Sequence, residues 1–411
     1  CCVKLVENNN ESHSLTKKGY GDTFLSFKRA LWMVVRVGVY DSIIMKMLNT
    51  LQKGLWAFCS YLFWPRKKKN MDNDDNFDFA EYEKAVKEDP LYPVEECIKM
   101  LEETSEFNII GLYDSIDNCL FQDINYGMVV SMMPKWVADE GISPEGCCTK
   151  DFYDTQKRKA FHPVFGRFIY HYELWSIIAG IQERLSAVIM FLRQFYKEVP
   201  CKAKYTPDQY TSGSRQGGDR ETQAHVLLNS IFVAYASIFD LLAKVAVEEN
   251  QLDGYDFGKY KEMKSNWILY KYSLKNISPS LQAPGMLFSD PLIVKKFVTF
   301  RNEYVHNGPW DLRSSVYYTA VNGELADVVI YSPDMDEHGN FVKSGSRNKF
   351  YSQSNRINIQ LPDMIKEATS ILQSTIDELS RLYQLKTTKK EDTALTEEYM
   401  KAIADYYKSL V

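Results

Sequence analysis

The sequence predicts a mainly α-helical protein, a helical bundle with a small antiparallel β insert and an N-terminal helical extension. Two observations predict this class. In several long segments, apolar residues recur every three or four positions, as they do on the buried face of a helix. The clearest strand signal is Asn322-Gly323, a dipeptide typical of tight hairpin turns, which separates two short β-prone runs. We therefore expect most of the core to lie between helices.

Changes in pattern along the 411 residues divide the chain into four parts. Residues 1–70 are a polar tail followed by an apolar helical extension, and residues 71–150 are a connecting region of helices and loops. The helical domain occupies residues 151–386, with the β insert at about 315–361. Residues 387–411 are predicted to form a C-terminal helix.

The N-terminal extension allows two interpretations. Gly54–Pro65, its longest stretch without a charge, is too short to span a bilayer, which takes about 20 residues. Basic residues occupy positions 66–69 directly after it, and an aromatic helix with such a flank can lie on an anionic membrane surface. Alternatively, the extension packs on the rest of the protein or on a second subunit. Residues 22–69 thus predict either peripheral membrane contact or a packing interface.

Composition and charge exclude several classes of protein. A net charge of −5 and a pI near 5.8 argue against a globally basic nucleic-acid binder, but an RNA enzyme needs only a local basic cleft. The eight cysteines form neither a CxxC pair nor a cluster with zinc-ligand spacing, so we expect reduced thiols in a cytoplasmic protein. The N-terminal residues are polar and show no secretory signal. We expect no metal and no cofactor.

The segment Pro291–Arg313 organises the rest of the chain. Its apolar spacing predicts a helix with one buried stripe. Asp290 is expected to cap the helix and Pro291 to occupy its first position, while Asn307-Gly308-Pro309 should end it. The apolar positions of the predicted stripe are Leu292, Ile293, Phe297, Val298, Phe300, Tyr304 and Val305.

Three polar side chains crowd the end of this helix. Asn302 and His306 are four residues apart and share a face. Arg301 precedes His306 by five residues, so the two converge only because arginine is long and the helix is ending. The run Arg301-Asn302-Glu303-Tyr304-Val305-His306 resembles the signature of the HEPN superfamily, an arginine and a polar residue followed after a short gap by histidine. The resemblance extends over residues 156–386 as a pattern of helices.

The resemblance implies a fold and an activity. HEPN domains are helical bundles, and many are metal-independent endoribonucleases of toxin, abortive-infection and CRISPR-associated systems. By this resemblance His306 is the general acid or base, Arg301 binds the phosphate, and Asn302 orients His306 or the phosphate. Two copies of the motif usually meet across a dimer, which implies a homodimer through the motif helix. RNA and an antitoxin or other regulatory protein are the implied partners.

Further residues are candidates for supporting roles. Asp240 lies inside an apolar helical run, where a buried acid needs a partner, and it either accepts a bond from Arg301 or faces water at the edge of the stripe. Lys295, Lys296 and Arg313 are candidates for RNA backbone contacts, with a solvated surface as the alternative. Trp310 is a candidate for stacking on a base.

The sequence thus predicts an endoribonuclease that cuts RNA by 2′-hydroxyl attack, in antiphage defence or a toxin system. Two alternatives stay open. One is a HEPN domain without catalytic activity that binds RNA or supports assembly, and the other is a membrane-associated effector that acts through residues 22–69.

Overall fold

The computed structural model describes residues 92–121, 131–138, 148–199, 213–259, 274–321, 324–387 and 393–409. Both interpretations of the N-terminal extension concern residues outside these ranges, as does the Asn322-Gly323 dipeptide itself.

The described residues are mostly helical, with one three-stranded antiparallel sheet, which confirms the predicted fold class. The helices are α1 (Tyr92–Glu103), a π-helical turn (Thr104–Asn108), α2 (Ile109–Phe121), α3 (Lys135–Ala138), α4 (Lys150–Ala160), α5 (Pro163–Glu198), α6 (Asp219–Gln251), α7 (Leu292–Asn307), α8 (Ile357–Thr387) and α9 (Thr393–Lys408). The strands are β1 (Gly213–Gln216), β2 (Val316–Val321) and β3 (Glu324–Val329). Short 3₁₀ turns occupy Leu252–Gly254, Phe257–Lys259, Leu274–Asn276, Pro279–Gln282 and Leu287–Ser289.

Helices α5 and α6 pack along each other and form the centre of the bundle. The start of α5 is fixed locally: Pro163 occupies its first turn, and His162 Nδ1 accepts a hydrogen bond from Val164 N at 3.2 Å. Apolar side chains at helical spacing along α5 are buried between Phe165 and Leu192. Both long helices also have the length and hydropathy of membrane-spanning helices, a test that core helices of soluble proteins pass as well. The cytoplasmic location stays a prediction.

Helix α8 closes the bundle by packing against α1 and α2. Four hydrogen bonds between side chains join α8 to α1, to the π-helical turn and to α2, and the partners are 269 or 270 residues apart. Because this offset is nearly constant, α8 runs parallel to α1 and α2. The pairs are Glu96–Lys366, Thr104–Gln373, Asn108–Asp377 and Ser115–Gln384. The helices at 92–121 therefore share a core with the bundle, while the four-part division of the chain stays a prediction.

The predicted hairpin is present as β2 and β3, which pair antiparallel with an irregular register between Thr319 and Ala320. Strand β1 pairs with the other edge of β2 and lies outside the predicted β insert at about 315–361. The insert also ends earlier than expected, because α8 already begins at Ile357. Asn358 explains this start: its side chain accepts from Ile330 N at 3.0 Å and donates to Val328 O at 2.9 Å.

The segment that follows β3 lies along α7 and covers one of its sides. Gly339, at a φ of +77°, is so close to the first turn of α7 that an added Cβ would lie 3.2 Å from Lys295 Cβ. Farther along, the Phe341 ring packs on Phe300 at a centroid distance of 5.4 Å. Lys349 then reaches the last turn of α7 through Glu303. The insert thus supports the helix that carries the candidate site over its whole length.

Candidate active site at the end of helix α7

Helix α7 buries a narrower stripe than its sequence predicts. Ile293, Val294, Phe297 and Phe300 are buried, and Phe300 stacks on Phe232 of α6 at 4.3 Å between ring centroids. The predicted positions Leu292 and Val305 are instead 42% and 53% exposed. At 3.6 residues per turn, they lie beside the stripe rather than in it.

The sequence predicted the last residue of α7 correctly but not the cap at its first turn. The helix begins at Leu292, and Asp290 does not cap it, because Asp290 adopts a left-handed conformation and its carboxylate contacts Lys295 Nζ at 2.5 Å. The predicted stop is confirmed: Asn307 is the last helical residue, and Gly308 has a φ of +92° and a ψ of −171°. Essentially only glycine adopts this conformation.

Arg301 is held by two oxygen atoms at the end of the helix. Its Nη2 donates to Asp240 Oδ2 at 2.8 Å, and its Nη1 donates to Asn302 Oδ1 at 2.8 Å. The bond to Asp240 is the one that the sequence suggested for an acid in an apolar run, although the carboxylate, with 34% of its side chain exposed, also lies at the edge of the buried stripe. Asn302 thus contacts Arg301, and its role in orienting His306 or the phosphate stays a prediction.

The Asp240 carboxyl is half-buried, and this burial raises its pKa above the ordinary value of 3.8. The positive charges of Arg301 and Lys244 oppose that effect without cancelling it. Burial of the carboxylate therefore raises its pKa by more than the two neighbouring positive charges lower it. The role of Asp240 is to position the guanidinium of Arg301.

This balance predicts how stability depends on pH in an Asp240→Asn variant. Because folding raises the pKa of Asp240, the carboxyl favours the folded state below pH 3.8 and loses that contribution as the pH rises through its raised pKa. Asparagine does not titrate and keeps an oxygen for Arg301. We expect the variant to gain stability relative to the parent as the pH rises, measured by urea unfolding. A relative loss at higher pH would show that the ion pair outweighs the burial.

His306 lies in the last turn of α7 and its side chain is exposed. Within the described ranges it forms no hydrogen bond and no ion pair with another side chain. The structure therefore brings Arg301, Asn302 and Asp240 together, and it presents His306 to solvent on the same helical end. An exposed imidazole at this position is accessible to a substrate.

Trp310 cannot stack on a base, contrary to the prediction. Its side chain is 2% exposed, and its Nε1 donates to Asn229 Oδ1 at 2.9 Å. The rings of His225 and Phe300 pack against it at 5.2 and 6.0 Å. Trp310 is a core residue that fixes the loop after α7 to α6.

The predicted backbone-contact residues lie in different places. Lys295 is paired with Asp290, and Lys296 is half-buried at the turn of Gly339, whose added Cβ would lie 3.4 Å from Lys296 N. Arg313 is exposed in an open groove of about 680 Å³, which it shares with Arg215. Of the three predicted cations, Arg313 is therefore the one with the most open surroundings.

Sequence reasoning missed the residues that brace the helical end. Glu303, inside the motif, accepts from Lys349 Nζ at 2.5 Å and from Asn307 Nδ2 at 2.9 Å. The Tyr351 hydroxyl donates to Trp310 O at 2.6 Å. The Glu303–Asn307 spacing of four residues was a usable signal, whereas nothing local points from Glu303 to Lys349.

No protein-family model matches the chain, and no curated protein and no solved structure matches it either. Across the residues that the structure describes, no group of three or more His, Cys, Asp or Glu side chains has the arrangement of a metal site. The absence of a metal and of a cofactor stays a prediction.

Proposed function

We propose that the protein is a metal-independent endoribonuclease that cuts RNA by attack of a 2′-hydroxyl group on the adjacent phosphate. The observation that carries this proposal is the pairing of Arg301 with Asp240 and Asn302, five residues before an exposed histidine on the same helical end. A guanidinium group has five N–H donors, and only two of them are engaged in these bonds. The remaining donors are suited to phosphate oxygens.

The proposed reaction needs two proton transfers and stabilisation of one charged intermediate. A base takes the proton of the 2′-hydroxyl, whose oxygen forms a bond to phosphorus. The bond from phosphorus to the 5′-oxygen then breaks, and an acid gives this oxygen a proton. Arg301 stabilises the phosphorane between the two steps. His306 performs one proton transfer, because its exposed imidazole can accept or donate a proton.

A single His306 performs one transfer at a time, so the other falls to His306 of the partner subunit in a homodimer formed through α7. The solvent face of α7 supports this arrangement. It carries the exposed polar residues Asn302 and His306 next to Val305, an apolar side chain that is 53% exposed. We include in the proposal a cytoplasmic location, a role in a toxin or antiphage system, and control by an antitoxin or other regulatory protein.

The decisive experiment is an analysis of the RNA ends that the purified chain produces in EDTA. Attack by the 2′-hydroxyl leaves a 2′,3′-cyclic phosphate on one product and a 5′-hydroxyl on the other, and this outcome is expected. Products with a 5′-phosphate, or cutting that requires added Mg²⁺, would contradict the proposal. Intact RNA with retained binding would favour the non-catalytic alternative.

A further inference from the structure

One segment of the insert is rich in cations and aromatic rings although the chain as a whole is acidic. Residues 341–351, FVKSGSRNKFY, contain no acid and three basic side chains, Lys343, Arg347 and Lys349. The whole chain has a net charge of −5. Cations interleaved with aromatic residues are the composition of surfaces that bind single-stranded nucleic acid.

This segment contacts the helical turn that carries His306. Lys349 Nζ binds Glu303 Oε1 at 2.5 Å, and the other oxygen of Glu303 accepts from Asn307 at 2.9 Å. The Tyr351 hydroxyl binds the loop that follows the helix. Glu303 and Trp310, the two residues that the segment contacts, are three and four residues from His306 in the sequence.

Of the three basic side chains, one is paired with Glu303 and two are available to bind phosphate. Burial raises the pKa of Glu303, but bonds from Lys349 and Asn307 and the nearby charge of Lys343 lower it further than burial raises it. Glu303 thus neutralises Lys349. Lys343 and Arg347 are exposed, and in the part of the chain that the structure describes neither forms an ion pair.

Of the acidic residues that directly precede the segment, Asp334 and Asp336 are engaged in turns, and Glu337 contacts His338 at 3.6 Å. Asp336 accepts hydrogen bonds from His338 N and Asn340 N at 2.9 and 2.8 Å. Asp334 accepts from Ser352 N and from Asn355 Nδ2, both at 2.9 Å.

Of the aromatic rings in the segment, Tyr351 is open for stacking and Phe350 lies under Arg347. The Arg347 guanidinium lies over the Phe350 ring at 4.5 Å from its centroid, and its Nε donates to Lys349 O at 3.0 Å. These two contacts fix a flat cationic surface. Tyr351 is 41% exposed although its hydroxyl is bonded, so its ring is open to solvent and held in place.

We propose that the segment Lys343–Tyr351 binds single-stranded RNA beside His306, with Lys343 and Arg347 on phosphates and an unpaired base on Tyr351. This inference rests on the proposed function and assigns its substrate class. The bases of a duplex are paired and stacked on each other, so their faces cannot reach Tyr351. A flexible single strand offers both a base face and a phosphate chain to the same surface.

The test measures binding in a His306→Ala background, so that the RNA stays intact. Fluorescein-labelled oligoribonucleotides, one single-stranded and one duplex, are titrated at several salt concentrations and followed by anisotropy. We expect Lys343→Ala with Arg347→Ala to weaken single-strand binding by about tenfold and to reduce the salt slope by roughly one per removed cation. The matched control replaces two exposed lysines outside the segment, Lys99 of α1 and Lys150 of α4, by alanine. It is expected to bind RNA like the background protein.

Two variants of Tyr351 separate the ring from its hydroxyl. Tyr351→Phe keeps the ring and should bind RNA like the background protein, whereas Tyr351→Ala should weaken binding about as much as the loss of one stacked base. Urea unfolding curves of both variants are the control for correct folding. Equal single-strand binding by all variants, or equally tight duplex binding, would overturn the inference.

The two proposals fail in different ways. If the parent protein cuts RNA but the segment variants bind and cut like the control, the inference fails and the proposed function stands. If the parent protein does not cut RNA although the segment variants weaken binding, the proposed function fails and the binding surface stands.

Discussion

Replacing His306 with alanine is expected to slow metal-free RNA cleavage by about 10²–10⁴-fold, the usual contribution of one positioned acid or base. The fold should not change, because the side chain is exposed and has no bonded partner among the described residues. Its free energy of unfolding should stay within about 0.5 kcal/mol of the parent value, as for most surface substitutions. Cleavage rates in EDTA and urea unfolding of the same preparations measure the two effects.

The chain offers a matched control in His338, a second exposed histidine, which lies in the insert next to Glu337. His338→Ala removes the same group from another exposed position, next to Glu337 and outside the proposed site. It should cut RNA at the parent rate. Equal loss in both variants, or equal cleavage by His306→Ala and the parent, would remove His306 from the mechanism.

Phe297→Ala is expected to be the most destabilising single substitution in α7. The Phe297 ring is fully buried among Tyr235, Phe232 and Phe239 of α6, at 4.8, 5.3 and 6.3 Å between centroids. Truncating a buried phenylalanine costs about 3–5 kcal/mol, because transfer free energy is lost and a cavity remains. The shift of the urea midpoint at an unchanged slope measures this cost.

The comparison that makes this result informative is Val305→Ala in the same helix. The sequence pattern placed both residues in one buried stripe, whereas the structure buries Phe297 and leaves Val305 exposed. Val305→Ala should therefore change the free energy of unfolding by less than about 0.5 kcal/mol. If the two substitutions lowered the free energy of unfolding by similar amounts, α7 would have to be rotated about its axis so that Val305 is buried as well.

Features set by neighbouring residues were predictable from the sequence. The hairpin β2–β3 and the end of α7 at Gly308 follow from backbone preferences at those positions. The pairing of Asp240 with Arg301, 61 residues away, was one of two alternatives that the sequence offered, because an acid buried in an apolar run needs a partner.

Features set by distant residues were not predictable. Strand β1 exists because it pairs with β2, about one hundred residues farther along the chain, and its own sequence has the composition of a loop. Trp310 looked like an exposed stacking residue, but Asn229 gives its indole N–H a partner and allows it to be buried. The contact of Lys349 with Glu303 likewise depends on how the insert lies along α7.

The parallel contact of α8 with α1 and α2 has a consequence for how the protein is made. Each of its four bonds closes a loop of 269 or 270 residues, and the length-dependent entropy of such a closure is on the order of 5 kcal/mol. High contact order of this kind slows folding. A ribosome must therefore have synthesised the chain through Gln384 in α8 before all of these contacts can form, so the bundle that carries the candidate site would close late relative to its first helices.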